Sequence, residues 1–233
     1  MPIEVRSCAT HEEYGACVDL QAKVWGAEYR DVVTASLLKV SRRVGGVVAG
    51  AFLPSGEMAG FVFGLTGTEG GRLVHWSHMM AVLPVYRDLG VGRSLKAYQW
   101  RLLREMGVEC AYWTFDPLVA RNAHFNLNRL AVRLEEYVAE MYAETGSGLH
   151  AFGTDRFVVS WPVVGGVAEA RGVVPDGSSA PVVNVDGSGR PVEAKVAAGS
   201  SRVRIQVPLD IEAMIGTDLA ALRAWRCSTR SAF

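Results

Sequence analysis

The sequence predicts an α/β fold: a mixed, mostly antiparallel central sheet with helices on both faces, plus a small C-terminal β/α appendage. Three observations predict it. Apolar runs broken by turn residues fill residues 46–83 and read as antiparallel strands. The apolar period then changes to helical spacing from residue 90, and strand and helix alternate to residue 161. After Trp161 the composition shifts to Gly, Val, Ser and Pro.

Residues 3–8 alternate apolar and polar and read as a first strand. Thr10 with Glu13 three residues on forms a capping box, so a helix is expected to Trp25. A second helix is expected over 33–44, ended by Gly45-Gly46. Runs 46–53 and 58–65 are strands joined by a turn at Pro54-Ser55-Gly56. Residues 72–83 are a further strand, stopped by Pro84. From Gly90 to Met106, Val91, Leu95, Tyr98, Leu102 and Met106 form one apolar helical stripe. A strand over 108–115, a helix over 119–130 and strands over 134–142 and 155–161 come next. Beyond them lie a turn at 186–189, a strand over 202–207 and a helix over 210–226. We therefore expect a core domain over 1–163 and an appendage over 164–233.

Lys plus Arg and Asp plus Glu each number 24, so the formal charge is zero and no whole-domain nucleic-acid footprint is expected. No run of about 18 apolar residues and no leader segment is evident, so no membrane partner is expected. Cys8, Cys17, Cys110 and Cys227 form no metal-type spacing; no metal site is predicted, and a cytoplasmic location is.

Chemistry concentrates at residues 80–94. A strand runs into a tight loop holding Arg87, Gly90 and Gly92, and the loop opens onto an amphipathic helix. Such a loop aims successive N–H groups at one point, where the helix dipole also favours an anion. Glycine lets a phosphate approach the backbone. Arg87 and Arg93 add positive charge, and a pyrophosphate fits the arrangement. The sequence has no G-x-x-x-x-G-K-[ST] and no G-x-G-x-x-G, which sets aside the P-loop and dinucleotide readings.

The run L-x-V-x-P-x-Y-R-x-x-G-x-G, with Met80 in the leucine position, resembles the acyl-CoA-binding motif of the GNAT N-acetyltransferase superfamily. S-H-M-M-A-V, W-T-F-D-P-L from Trp113, R-N-A-H-F-N from Arg121 and T-D-R-F from Thr154 resemble a poorly characterised GNAT subgroup of predicted acetyltransferases. The likeness spans residues 1–163. It implies acetyl-CoA as cosubstrate and a small-molecule amine as acceptor. Backbone groups of Met80, Ala81 and Val82 would line the pantetheine arm. Arg87, Asp88, Leu89, Gly90, Val91, Gly92, Arg93 and Ser94 would hold the pyrophosphate, and Asn122 and Phe125 would also touch the cofactor.

Transfer requires that the amine lose a proton and the thiolate gain one. The Glu that many members carry on the fourth strand falls here at Trp76, and their Tyr acid at Leu127. Period two places Trp76, His78 and Met80 on one strand face, making His78 the base or water relay, with a hydrogen-bonded strand histidine as the alternative. Asp116 would anchor a cationic substrate or orient His78, or close an Asp-Pro turn. Asp155 and Arg156 would form an ion pair near the acceptor mouth, or a surface pair that contributes little.

Two readings stand. One is an N-acyltransferase working by direct attack in a ternary complex. The other, supported by the missing Glu and Tyr, is a catalytically weak GNAT-fold acyl-CoA-binding sensor or partner module. A homodimer stays open, and relatives that run further suggest a strand beyond Phe233.

Overall fold

The computed structural model describes residues 3–143, 150–164 and 179–233. In chain order the elements are β1 (Glu4–Ser7), α1 (His11–Trp25), α2 (Ala35–Arg43), β2 (Val47–Phe52), β3 (Met58–Glu69), β4 (Arg72–Val82), α3 (Val91–Glu105), β5 (Cys110–Phe115), α4 (Ala120–Ala123), β6 (Arg133–Val138), β7 (Arg156–Pro162) and α5 (Leu219–Arg230). The seven strands form one sheet, ordered β1-β2-β3-β4-β5-β7-β6. β1 to β4 pair antiparallel in succession, and β4 pairs β5 in parallel. The sheet is thus mixed and mostly antiparallel, as the sequence predicts.

The chain forms two compact units. The first contains the described residues through Trp113 and residues 160–164; the second contains 114–143, 150–159 and 179–233. The breaks do not coincide with the expected boundary at residue 163. Residues 179–233 belong instead to the same unit as residues 114–143. The Gly/Val-rich stretch 165–178 lies outside the described residues.

In the first unit, Thr10 and Glu13 form the expected capping box. The helix it starts presents Tyr14, Cys17 and Leu20 to a core with Phe61, Phe63, Met79 and Ala81. Gln21, fully buried, closes the following loop by bonding both Val33 N (2.8 Å) and Val33 O (3.0 Å). β2 is buried along its whole length, the signature of a strand covered on both faces. α3 is amphipathic, but its buried set is Val91, Leu95, Lys96, Gln99 and Leu103. Two polar residues thus occupy the face expected to carry Tyr98, Leu102 and Met106.

β4 departs from simple alternation. Leu65 pairs with Trp76 and Phe63 with Met79, so Gly64 alone opposes Ser77 and His78 in a β-bulge. A Cβ on Gly64 would lie 2.2 Å from His75 Nε2 and 2.6 Å from Trp76 O, so only glycine fits there. The bulge exchanges the faces. His75 and Ser77 bond to Gln99 on α3, whereas Met79 and Ala81 pack in the α1 cluster.

In the second unit, the helix expected over 119–130 is one α turn followed by a wider π turn, His124–Arg129. Asn126 Nδ2 donates to Asn122 O at 2.8 Å, occupying a carbonyl that the i→i+4 ladder would use. Leu130 N accordingly reaches Phe125 O at 3.0 Å, five residues back. A small core joins Leu118, Val119 and Phe152 to Ile211, Leu222 and Trp225. The strand expected over 202–207 is reduced to one bridge, Val182 to Arg204. The expected helix over 210–226 is broken. A short 3-10 turn, Glu212–Met214, precedes Gly216 at φ +81°, and α5 starts after Asp218 caps Ala221 N at 2.9 Å.

Candidate active site

β4 and β5 pair only at Val74–Cys110, His75–Ala111 and Trp76–Tyr112. Beyond that rung the strands part, and β4 residues 77–82 have no ladder partner on the β5 side among the described residues. Ser77 and Trp113 are therefore the first residues past the fork. An open strand edge of this kind can take an extended ligand bearing amide groups as though it were another strand.

The other end of this edge leads to the glycine loop. Arg87 turns back, its Nε donating to Val82 O at 3.3 Å. Asp88 has φ +61° and Gly90 φ +80°, and Gly90 is the N-cap of α3 with no side-chain cap. Ser94 N is bonded to Gly90 O, so the preceding N–H groups of the 15-residue helix face the loop without a capping side chain. No atom lies within 4 Å of a Cβ built on Gly90. Uncapped donors, a positive helix end, open space and the exposed Arg93 suit a diphosphate. Asp88, Leu89 and Ser94 are exposed, Val91 is buried and Gly92 is partly buried. Met80 and Val82 are half-buried beside the buried Ala81.

His78 is solvent-exposed, and its ring meets Phe63 edge-on at 5.9 Å between centroids. Partial desolvation lowers its pKa, while the negative charge of Asp31 raises it. The bulge corrects the expected grouping. His78 lies toward the α1 cluster through Phe63, but Met80, between Met79 and Ala81 of that cluster, points to the opposite face.

On the α3 face the structure holds a polar network that periodicity does not single out. Lys96 Nζ donates to Ser77 Oγ at 2.8 Å and to Gln99 Oε1 at 3.2 Å, and lies 3.7 Å above the Trp113 ring. Ser77 Oγ donates to Gln99 Oε1 at 3.0 Å. Gln99 Nε2 meets His75 Nε2 at 3.0 Å, and His75 Nδ1 meets Thr66 Oγ1 at 2.9 Å. Thr66 Oγ1 donates to Gly45 O at 2.7 Å. Its hydroxyl hydrogen is thus committed, and His75 must donate from Nδ1 and accept at Nε2. Burial lowers the His75 pKa to about 3, aided by the Lys96 charge. Lys96 is 3% exposed, and desolvation lowers its pKa to about 7.

Asp116, Asn122 and Phe125 belong to the second unit. Asp116 is buried and accepts from Arg226 Nη1 at 3.0 Å and Nη2 at 2.6 Å, with Arg156 at 3.5 Å and Leu118 N at 2.9 Å. Its oxygens are thus taken up by protein groups, which corrects the expectation of a free anchor for a cation. Asp155 and Arg156 do not pair through their side chains. Asp155 is held by Arg230 at 2.6 and 2.9 Å and by Tyr137, and Arg156 by His150 at 2.7 Å. Asn122 and Phe125 are half-buried at the α turn and the π turn, and Leu127 is 38% exposed. Among the described residues no group of three His, Cys, Asp or Glu can hold a metal ion. No helix among them is long and apolar enough to cross a membrane.

No family model and no curated protein matches the chain. Solved structures do. The ribosomal-protein-S18-alanine N-acetyltransferase of Escherichia coli is 16% identical over 70% of this chain and 94% of its own, with a TM-score of 0.53. A GNAT-family acetyltransferase from Streptococcus pneumoniae is 14% identical over 69% of this chain and 99% of its own, at 0.55. The Salmonella typhimurium protein yncA, solved with its cofactor acetyl-CoA, is 16% identical over 71% and 96%, at 0.52. The chain has the fold of the GNAT acetyltransferases.

Proposed function

We propose that this chain is a GNAT N-acyltransferase, moving an acetyl group from acetyl-CoA to the amine of a small molecule by direct attack in a ternary complex. One observation carries the reading: a strand edge left open past Trp76 leads, on the same strand, to an uncapped helix N-terminus behind a left-handed glycine. The open edge offers backbone donors and acceptors to the pantetheine amides. The loop offers N–H groups and arginine charge to the diphosphate. Residues 77–82 span roughly 17 Å at strand rise, of the order of an extended pantetheine arm. The acyl group would then lie near the fork, beside Ser77 and His78.

His78 would accept the amine's proton. Its lowered pKa keeps the imidazole neutral near pH 7, as a base requires. Direct attack is favoured over an acyl-enzyme because Cys8 and Cys17 are buried, the hydrogen bond with Cys8 and then burial push the Cys17 thiol up, and Cys110 Sγ donates to Ala111 O. The free thiols accord with a cytoplasmic location.

The test is incubation with acetyl-CoA and a panel of small amines, following free thiol. Amine-dependent thiol release is expected. Saturable CoA binding with no release on any amine would favour the sensor reading, and absence of CoA binding would remove both.

A further inference from the structure

Resting on that reading, we propose that Ser77, recharged by Lys96, is the proton donor to the departing sulfur.

An ammonium taken out of water is expensive unless a counterion compensates it. Lys96 is 3% exposed, yet its bonded partners are a hydroxyl, an amide oxygen and an indole face, all neutral. His75, bonded to the same Gln99, is neutral and contributes no negative charge. Around the ammonium, β4 presents the titratable His75, β5 presents the uncharged Trp113, and α3 presents the uncharged Gln99. A methionine of similar volume would fill the same space at lower cost, so a purely structural role leaves the charge unexplained.

Position supplies the explanation. The ammonium bridges the first β4 residue and the first β5 residue beyond the ladder, at the fork where the pantetheine arm would end. It does so from the α3 face. His78, the adjacent residue, lies toward the opposite face, its ring against Phe63. A carbonyl seated at the fork would thus have a proton acceptor on one side of the sheet and a proton donor on the other. That is the arrangement needed when an amine enters from one face and a thiolate leaves toward the other.

The step balances. The amine nitrogen forms a bond to the carbonyl carbon as the carbon–sulfur bond breaks, and that electron pair goes to sulfur. The surplus proton on nitrogen passes to His78 and then to solvent. The Ser77 hydroxyl hydrogen rotates from Gln99 toward the sulfur and is transferred, while Lys96 gives one proton to Ser77 Oγ. Lys96 is left neutral and regains its proton from solvent when the thiol departs. An acid of pKa about 7 delivers a proton downhill to a thiolate whose thiol titrates near ~8.5. The tyrosine that is replaced by Leu127 is then dispensable.

Two variants and two readouts test this. Ser77→Ala and Lys96→Met should each lower turnover about 10²-fold while CoA still binds. In wild type the rate should fall as pH rises through the ammonium's titration, and in Lys96→Met that descending limb should be absent. Independently of turnover, the Lys96 ammonium in the CoA-bound enzyme, followed by nitrogen NMR, should lose its proton near pH 7; an ammonium that persists above about pH 9 could not deliver a proton downhill to the thiolate and would overturn the inference. Near-wild-type turnover with an unchanged descending limb in both variants would overturn the inference and leave the acyltransferase reading standing. Loss of CoA binding by wild type overturns that reading and this inference together. Ser77→Ala deletes one oxygen and keeps the inference testable if Lys96→Met does not fold.

Discussion

Two residues on β4 and α3 carry titrations whose signs can be worked out. Lys96 has a folded pKa of about 7 against 10.5 when unperturbed, because burial disfavours its charge. Between those values the unfolded chain holds a proton that the folded chain has released, so stability rises with pH across that window. Below pH 7 both states are charged and the full burial cost is felt; above 10.5 both are neutral and it vanishes. Lys96→Met has no such titration. It should therefore be more stable than wild type at pH 6, and the advantage should shrink steadily as pH climbs from about 7 to 10.5. Urea unfolding at a series of pH values measures the difference, and a constant difference would show that the lysine is not buried as a cation. His78 acts on rate, not stability. Its lowered pKa places the ascending limb of the amine-transfer profile below the unperturbed ~6.5. His78→Ala should lower turnover about 10²-fold and flatten that limb, as steady-state rates against pH would reveal.

At the scale of elements, the glycine loop and α3 act as one device. Gly90 supplies the left-handed turn that lets the helix begin uncapped, and its position faces open space. Gly90→Glu would place a carboxylate where the anion is expected and force a side chain into φ +80°. CoA affinity should fall at least 100-fold by calorimetry, while the circular dichroism of the folded chain changes little; a normal affinity would move the cofactor elsewhere. Most of these elements are legible in the sequence, because each is written locally. The capping box at Thr10, the turn at Pro54 and the glycine stop after Met106 are short-range signals that burial does not override. The illegible features depend on partners distant in sequence. The bulge opposite Gly64 is a register shift between two strands, and the alternation of one strand cannot reveal it. Lys96 and Gln99 look like ordinary solvated helix residues until Ser77 and His75 are brought to them from β4. The π turn arises from one side-chain bond, Asn126 to Asn122 O, inside a pattern that otherwise reads as helix.

At the scale of the molecule, the residues after 178 are integrated in the second unit by a small apolar core and by buried charge. Arg226 on α5 is 3% exposed and reaches Asp116 with two hydrogen bonds and Gly153 O with a third at 3.3 Å. Arg230, one helical turn on, holds Asp155, whose carboxyl is raised by desolvation but pulled lower overall by Arg230 and Tyr137. The composition change after Trp161 suggests an appendage, since a Gly- and Ser-rich stretch usually separates the chain on its two sides. Composition reports the connector, not where the chain beyond it packs. Removing one partner of a buried ion pair leaves the other charge uncompensated, at a cost of about 3–5 kcal/mol. Arg226→Met should therefore destabilise the second unit by about that amount, although Arg156 at 3.5 Å from Asp116 tempers the loss. The double variant Arg226→Met with Asp116→Leu removes both charges and should recover part of it, giving a coupling energy well above the sub-kilocalorie value of an exposed pair. Limited proteolysis locates the effect. In Arg226→Met, cleavage should accelerate within residues 114–159 as well as within 179–233, because the two segments share one core. Acceleration confined to residues 179–233 would instead restore the boundary near residue 163.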